Sequence, residues 1–470
     1  MKMIYGIKDK PKTGQLILFA LQQLLAIIAA TILVPMLTNI YGAQNLQMDP
    51  AAALVGAGVG TLVYILFTRR KSPVFLGSSF AFLNSMYAAT AFGYLGLFFG
   101  AVFAGLVYVL VAVIIRFVGS GWLNKLLPPV IIGPTIALIG LSLAGSAVNN
   151  LNNTASGPQG YNLIHVLCGL FAFFVVIVFS VKGTKTMRMI PFIFGILGGY
   201  VLACLFTAVG AIANVDYLRV VDFSAFKAAF SPFTFESILS LPDFTFLHMF
   251  REIGDFDWSV IGTIAVLYAP VAFVVMAEHI GDHKNLSSVL SDGENQVDLL
   301  TEPGLDKTLL GDGVGSIAGA FFGGCPNTTY GESVGCIAIT RNASLYSIFG
   351  ASLGAILLAF FTPFVAFVNT IPSCIIGGIC LALYGFIAVS GLKMLQQVDL
   401  DRSHNLFVVS SILISGIGGL ALNFGEHFTV TPIATALILG IVTNLALSKL
   451  PSFAKEEPSE ESSDEDISEE

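Results

Sequence analysis

Three carboxyl groups stand where apolar sequence makes a charge costly: Glu278 and Asp282 in the run Met276-Ala277-Glu278-His279-Ile280-Gly281-Asp282-His283, and Glu332 in Pro326-Asn327-Thr328-Thr329-Tyr330-Gly331-Glu332-Ser333. Glu278 and Asp282 are four residues apart, so on a helix they share one face, one turn from each other. With Glu332 they form a set able to line one cavity. A carboxyl enclosed in such a place can bind and release a proton near neutral pH, which is the chemistry a proton-coupled carrier needs. Asp312, Glu426 and His427 fall near expected span ends and read as surface or structural positions, and a helix end emerging into water is the ordinary explanation for Asp282 and His283. No nucleophile, metal cluster or cofactor motif is evident, so an enzyme is not expected.

The segment that carries Glu332 has a counterpart, Pro73-Val74-Phe75-Leu76-Gly77-Ser78-Ser79-Phe80. In each, Val, Phe, Thr or Tyr before the glycine favours extended backbone, and the residues after the glycine read as helix. Unwound backbone at membrane depth is tolerated only where protein or a water-filled cavity satisfies it, so the two segments are expected to cross and cover each other. Short helices beginning at Ser78 and Glu332 would aim unbonded N–H groups into the cavity between them, a pocket suited to a neutral, hydrogen-bonding ligand. The plainer alternative is close packing of Gly-rich helices.

The elements that must position these residues are membrane spans. The chain of 470 residues is 55% hydrophobic and 11% charged, against roughly 25% charge in a soluble domain, and its mean hydropathy is +0.83. Apolar runs near the ~20 residues that cross a bilayer recur throughout. They fall near 15–38, 50–68, 73–92, 94–118, 127–146, 162–181, 189–212, 257–280, 309–323, 326–343, 346–370, 373–392, 404–423 and 429–448, about fourteen in all. The fold class is therefore an all-α polytopic membrane protein with two half-strand, half-helix segments. The first run, Leu16 to Leu37, is too long for a signal-peptide core and is expected to remain as the first span.

Lys and Arg collect in cytoplasmic loops. With both termini inside, about 19 of the 22 basic residues fall on the cytoplasmic side, and only Arg219, Lys227 and Arg251 fall outside. The stretch 213–256 is an extracytoplasmic insertion that divides the spans into sets of about seven, 15–212 and 257–450. An odd number per set makes them inverted-topology repeats. Residues 1–14 form the cytoplasmic N-terminus. Much of the formal charge of −8 lies in Glu456–Glu470, so 451–470 reads as an acidic, disordered cytoplasmic tail. The six cysteines lack ligand spacing and read as small buried hydrophobes.

The stretch Tyr330-Gly331-Glu332-Ser333-Val334-Gly335-Cys336-Ile337-Ala338-Ile339-Thr340-Arg341 resembles the signature of the nucleobase-ascorbate transporter family, which begins with Gln or Glu and ends in Thr-Arg. Glu278–Asp282 and Gly77–Phe80 are similar to further family segments, and the likeness runs from about Gln15 to Leu450, nearest to the uracil-carrying bacterial branch. The resemblance implies a core domain of spans one to four and eight to eleven moving against a gate domain of the rest, in a homodimer in the bacterial inner membrane. It implies that Glu278 and Glu332 bind the base, that backbone around Phe80 and Gly331 completes the site with Ser79 and Tyr330 beside it, and that the Phe80 ring packs on the base. Asp282, with Glu278, would serve proton coupling. Glu at 332 favours uracil, because purine and xanthine carriers of the family usually have Gln there.

The expectation is thus uracil import by proton symport, with no cofactor and no nucleic-acid partner. An oxopurine symporter coupled to protons or sodium is the second reading, and an anion carrier or channel of the same fold the third. Three positions depart from the family pattern. Ser333 stands where Asn is usual, Gln22-Gln23 where Gln-His is common, and Asp282 where some uracil carriers have His. The last two bear on the proton pathway more than on the substrate.

Overall fold

The computed structural model describes residues 3–44, 46–152, 160–292, 296–424 and 428–450. The acidic tail, Glu426 and His427 lie outside the described residues. Among those described, nine helices are long and apolar enough to cross a membrane unaided, and the protein is a multi-pass membrane protein. The first half runs through Thr13–Tyr41, Pro50–Phe67, strand β1 (Leu76–Ser78) continuing into helix Leu83–Ala89, Gly93–Val118, Pro129–Asn152, Leu163–Lys182 and Pro191–Ala213. The second runs through Ile261–Leu290, Leu305–Gly323, strand β2 (Asn327–Thr329) continuing into helix Gly331–Thr340, Leu345–Ala359, Ser373–Leu395, Ser403–Ile417 and Pro432–Lys449. Counted in this order these are the first to the fourteenth spans, and each strand–helix segment is third in its half.

The spans pack as a core and a gate. In the core the second span packs on the ninth, the ninth on the fourth, the fourth on the eighth, and the eleventh on the first and second. In the gate the fifth packs on the twelfth and thirteenth, the sixth on the seventh and twelfth, and the thirteenth on the fourteenth. Between the halves, the extramembrane stretch forms the short helices Ser224–Phe230 and Thr245–Glu252. Phe244 and Phe246 from it pack on Phe322 of the ninth span.

Membrane helices gain little from burying apolar surface against one another, so they associate through close backbone packing at small residues. The second and ninth spans show why glycine is required for this: a Cβ added at Gly56 would collide with the Gly319 carbonyl, and one at Gly60 with the Gly315 carbonyl and the Asn327 amide. Asn327 uses that amide to donate to Gly56 O at 3.0 Å, which pins β2 to the second span. Because the obstructing atoms are backbone, Gly60→Val is expected to destabilise the core by about 3 kcal/mol or more. The check is thermal unfolding followed by size-exclusion chromatography, with loss of a monodisperse peak or a melting temperature lower by several degrees.

Two sequence expectations need correction. The eighth span does not reach a polar end at Met276–His283; it continues to Leu290, so Glu278 to His283 lie inside the helix, with His279 and His283 fully buried. Of the two readings for Asp312, surface or structural, the surface one fails: it is 1% exposed, because the ninth span begins at Leu305 and carries it two turns inside. In both cases a protein partner takes the place of water. The apolar run 346–370 is also two helices, broken at Phe360–Phe361 before Thr362–Asn369. Five of the six cysteines are buried as expected, while Cys204 is only half-buried.

Candidate functional site

Strands β1 and β2 cross in the core as an antiparallel pair, with Leu76 opposite Thr329, Gly77 opposite Thr328 and Ser78 opposite Asn327. The pairing extends past both ends, since Ser79 N donates to Pro326 O at 2.9 Å and Tyr330 N to Phe75 O at 3.1 Å. Each strand therefore satisfies the backbone of the other, as unwound segments at membrane depth require. Tyr330 fastens the crossing. Its hydroxyl donates to Ser78 O at 2.9 Å, and its ring occupies the space where any side chain at position 77 would stand, which is why Gly77 is needed.

A cavity of about 640 Å³ opens from this crossing between core and gate, within the usual range for ligand sites. Of the predicted site residues, Phe80, Glu278, Asp282, Tyr330, Gly331 and Glu332 all line it. Ser79 does not: it is buried behind Phe80, and its hydroxyl has no partner among the described residues. The Phe80 ring meets Tyr384 of the gate edge-on, with centroids 5.8 Å apart. Ile136, Ile139, Phe192 and Phe386 complete the apolar gate wall. Opposite that wall stand the three carboxyls, and Asp282 Oδ2 accepts from Thr329 Oγ1 at 2.8 Å, which ties the eighth span to β2. Glu332 lies in the first turn of helix Gly331–Thr340, where the opening N–H groups have no intrahelical acceptor. The site thus offers carboxyl acceptors, backbone donors and an aromatic face together.

Residues beside the cavity support it in ways the sequence did not disclose. Ser333 joins three elements: its Oγ accepts from Gln23 Nε2 of the first span at 2.5 Å and from Phe75 N at 3.1 Å. Two of the departures from the family pattern, Gln23 and Ser333, are therefore direct partners although 310 residues separate them. Gln23→Ala removes a buried partner of Ser333, a loss of about 1 kcal/mol. A lower melting temperature and a few-fold weaker binding of the base, from loosening next to Glu332, are the expected readouts.

Behind Glu278 and Asp282 the same helix carries a second polar layer. His279 Nδ1 bonds Asp312 Oδ2 of the ninth span at 2.7 Å, and His283 Nδ1 donates to His279 O at 2.8 Å. With Nδ1 of His283 so engaged, the Tyr64 hydroxyl lies 2.7 Å from its Nε2, and Ser72 lies 2.8 Å from Tyr64. The spacing of His279 and His283, four apart in the sequence, was the available signal for this layer; their partners on other spans left none.

A model of a protein family described as the Permease family matches residues 14–424. Curated relatives similar to the chain include the uracil permease of Bacillus caldolyticus, 39% identical over 97% of each chain. Those of Bacillus subtilis strain 168 and Escherichia coli strain K12 are 37% and 33% identical, each over 98% of both chains. Among solved structures, the transmembrane domain of the cyanobacterial bicarbonate transporter BicA superposes with a TM-score of 0.56 at 14% identity, over 93% of this chain and 99% of that one. The inward-facing murine Solute Carrier 26 family member A9 anion transporter superposes at 0.60 and 13% identity, over 94% and 69%. At such identities the likeness is one of fold, and that fold is a pair of inverted seven-span repeats.

Proposed function

The chain belongs to the Permease family, and from that premise we propose that it imports uracil together with a proton. The observation that carries the reading is the convergence of Glu278, Asp282 and Glu332 on one cavity that also holds Phe80 and the opening turn at Gly331. Uracil presents N–H donors beside carbonyl acceptors. The carboxylates of Glu278 and Glu332 accept from the N–H groups, while backbone N–H groups around Gly331 and Phe80 donate to the carbonyls. The Phe80 ring covers one face of the base. The relatives named uracil permeases, alike to this chain over nearly its whole length, support the same substrate.

The proton enters on the Glu278–Asp282 pair, one helical turn apart. It removes a negative charge before the loaded core slides along the apolar gate wall, where an uncompensated charge is expensive. The repeats 15–212 and 257–450 supply the core and gate, which rock against each other around the fixed site. The collection of Lys and Arg in alternate loops supports cytoplasmic termini, and in that orientation the cavity lined by Lys284 and Lys393 faces inward. A homodimer in the plasma membrane of a bacterium completes the proposal.

The test is uptake of radiolabelled uracil into proteoliposomes with an acid-outside gradient, with and without sodium, competed by xanthine. Saturable, gradient-accelerated, sodium-independent uptake that xanthine fails to compete supports the proposal. Uptake indifferent to the pH gradient, or driven by sodium, overturns proton symport.

A further inference from the structure

The cavity is far larger than a single six-membered ring requires, and its excess volume has a chemistry of its own. Along the eighth span the lining residues Glu278, Gly281, Asp282, Asn285 and Ser288 form one helical stripe. At about 1.5 Å per residue, Ser288 lies about 9 Å beyond Asp282 along that axis. Across from it the twelfth span turns from Phe386 to Ser390 and Lys393, the last about 10 Å beyond Phe386. Lys284 on the core, whose backbone lies about 3 Å beyond Asp282, and Lys393 on the gate line the cavity with exposed side chains, and neither has a salt-bridge partner among the described residues. The acidic groups of the cavity, Glu278, Asp282 and Glu332, belong to its inner end; Asp292 and Asp298 line a neighbouring surface hollow that shares Lys284 and Ser288.

The geometry points to an anion subsite in this vestibule: a pyrimidine nucleoside 5′-monophosphate binds from the cytoplasm with its base at the uracil site and its phosphate on Lys284 and Lys393. The inference rests on the uracil reading of the inner site. Two uncommitted ammonium groups at the mouth suit a phosphate, whose charge-assisted bonds are stronger than neutral ones. Asn285 and Ser390, which also line the cavity, offer amide and hydroxyl groups to a ribose. The ribose blocks the base nitrogen that bears it, so one N–H···carboxylate bond is lost and the phosphate contacts offset it. Because Lys284 moves with the core and Lys393 with the gate, a phosphate on both holds the two domains inward-open.

The experiment is equilibrium binding of radiolabelled uridine 5′-monophosphate to the purified full-length chain, with uracil, uridine and inorganic phosphate as competitors and labelled uracil binding measured in the same preparation. The expected result is saturable binding displaced by uracil, with uridine and inorganic phosphate each about tenfold weaker or worse. Lys284→Gln with Lys393→Gln lowers nucleotide affinity about tenfold while uracil affinity stays as in the parent, and the double Arg variant restores the nucleotide. Nucleotide binding no tighter than uridine, displacement by inorganic phosphate alone at equal potency, or unchanged affinity in the Gln variant overturns the subsite. Absence of uracil binding alongside lysine-dependent nucleotide binding overturns the uracil reading and leaves the anion subsite standing.

Discussion

Glu332→Gln weakens equilibrium uracil binding by about 10- to 100-fold, the loss expected when a hydrogen bond to a charged acceptor is exchanged for one to a neutral amide. The amide keeps the size of the side chain and its place in the first turn of helix Gly331–Thr340, so folding is preserved and the change reports on recognition. Gln also presents an N–H2 group where the carboxylate presented only acceptors, so one face of the substrate meets a donor instead. Isothermal titration with purified protein is the check, and binding equal to that of the parent would remove Glu332 from the site. The same substitution should shift relative affinity toward oxopurines, which a xanthine competition curve reads directly.

Asp282→Asn has a different signature. Its carboxyl is held by Thr329 Oγ1 at 2.8 Å, a bond the amide oxygen can also accept, and uracil affinity should change by no more than a few-fold. Coupling should fail instead, because the Glu278–Asp282 pair has lost the group that exchanges its proton. Uracil still equilibrates across the membrane by counterflow, while accumulation under an acid-outside gradient is lost, a fall of about tenfold for a gradient of about one pH unit, which is worth about 1.4 kcal/mol per proton. A variant that still concentrates uracil in step with the gradient would assign the proton elsewhere. The layer containing His279 and Asp312, 2.7 Å apart and carried by the residue next to Glu278 on a face that does not line the cavity, would then be the place to look.

Much of this architecture is readable because bilayer physics writes strongly into sequence. Apolar runs mark about fourteen spans, nine of them long, apolar helices among the described residues, and extended-favouring residues before Gly77 and Gly331 mark the two segments that pair as β1 and β2. Glu278, Asp282 and Glu332 stand out because few reasons exist to place a carboxyl in such surroundings. Local hydropathy fails at the ends of spans. The sequence around Glu278 to His283 looks like a helix leaving the membrane, yet the helix runs on to Leu290. His279 and His283 find their partners in Asp312, 33 residues away, and Tyr64, 219 away. Asp312 misleads for the same reason. A polar group satisfied by a distant partner has the same local signature as one satisfied by water. The pairing of Gln23 with Ser333 is hidden likewise, although each on its own departs from the family pattern.

The role of Ser79 shows a further limit. Resemblance implies that it belongs to the site beside Phe80, but the extended chain ends at Ser79 and Phe80 opens the turn Phe80–Phe82, and of the two only Phe80 lines the cavity. Ser79→Ala is accordingly expected to leave uracil affinity within about twofold, since the hydroxyl has no partner to lose.

Proton symport through these carboxyls requires that each uracil carry a proton with it. Proteoliposomes enclosing a pH-sensitive dye, with no imposed gradient, are given external uracil while internal pH is followed. Acidification of the lumen tracks uracil entry in the parent protein and is absent in Asp282→Asn even as labelled uracil enters. Uracil entry without acidification in the parent protein would contradict proton symport.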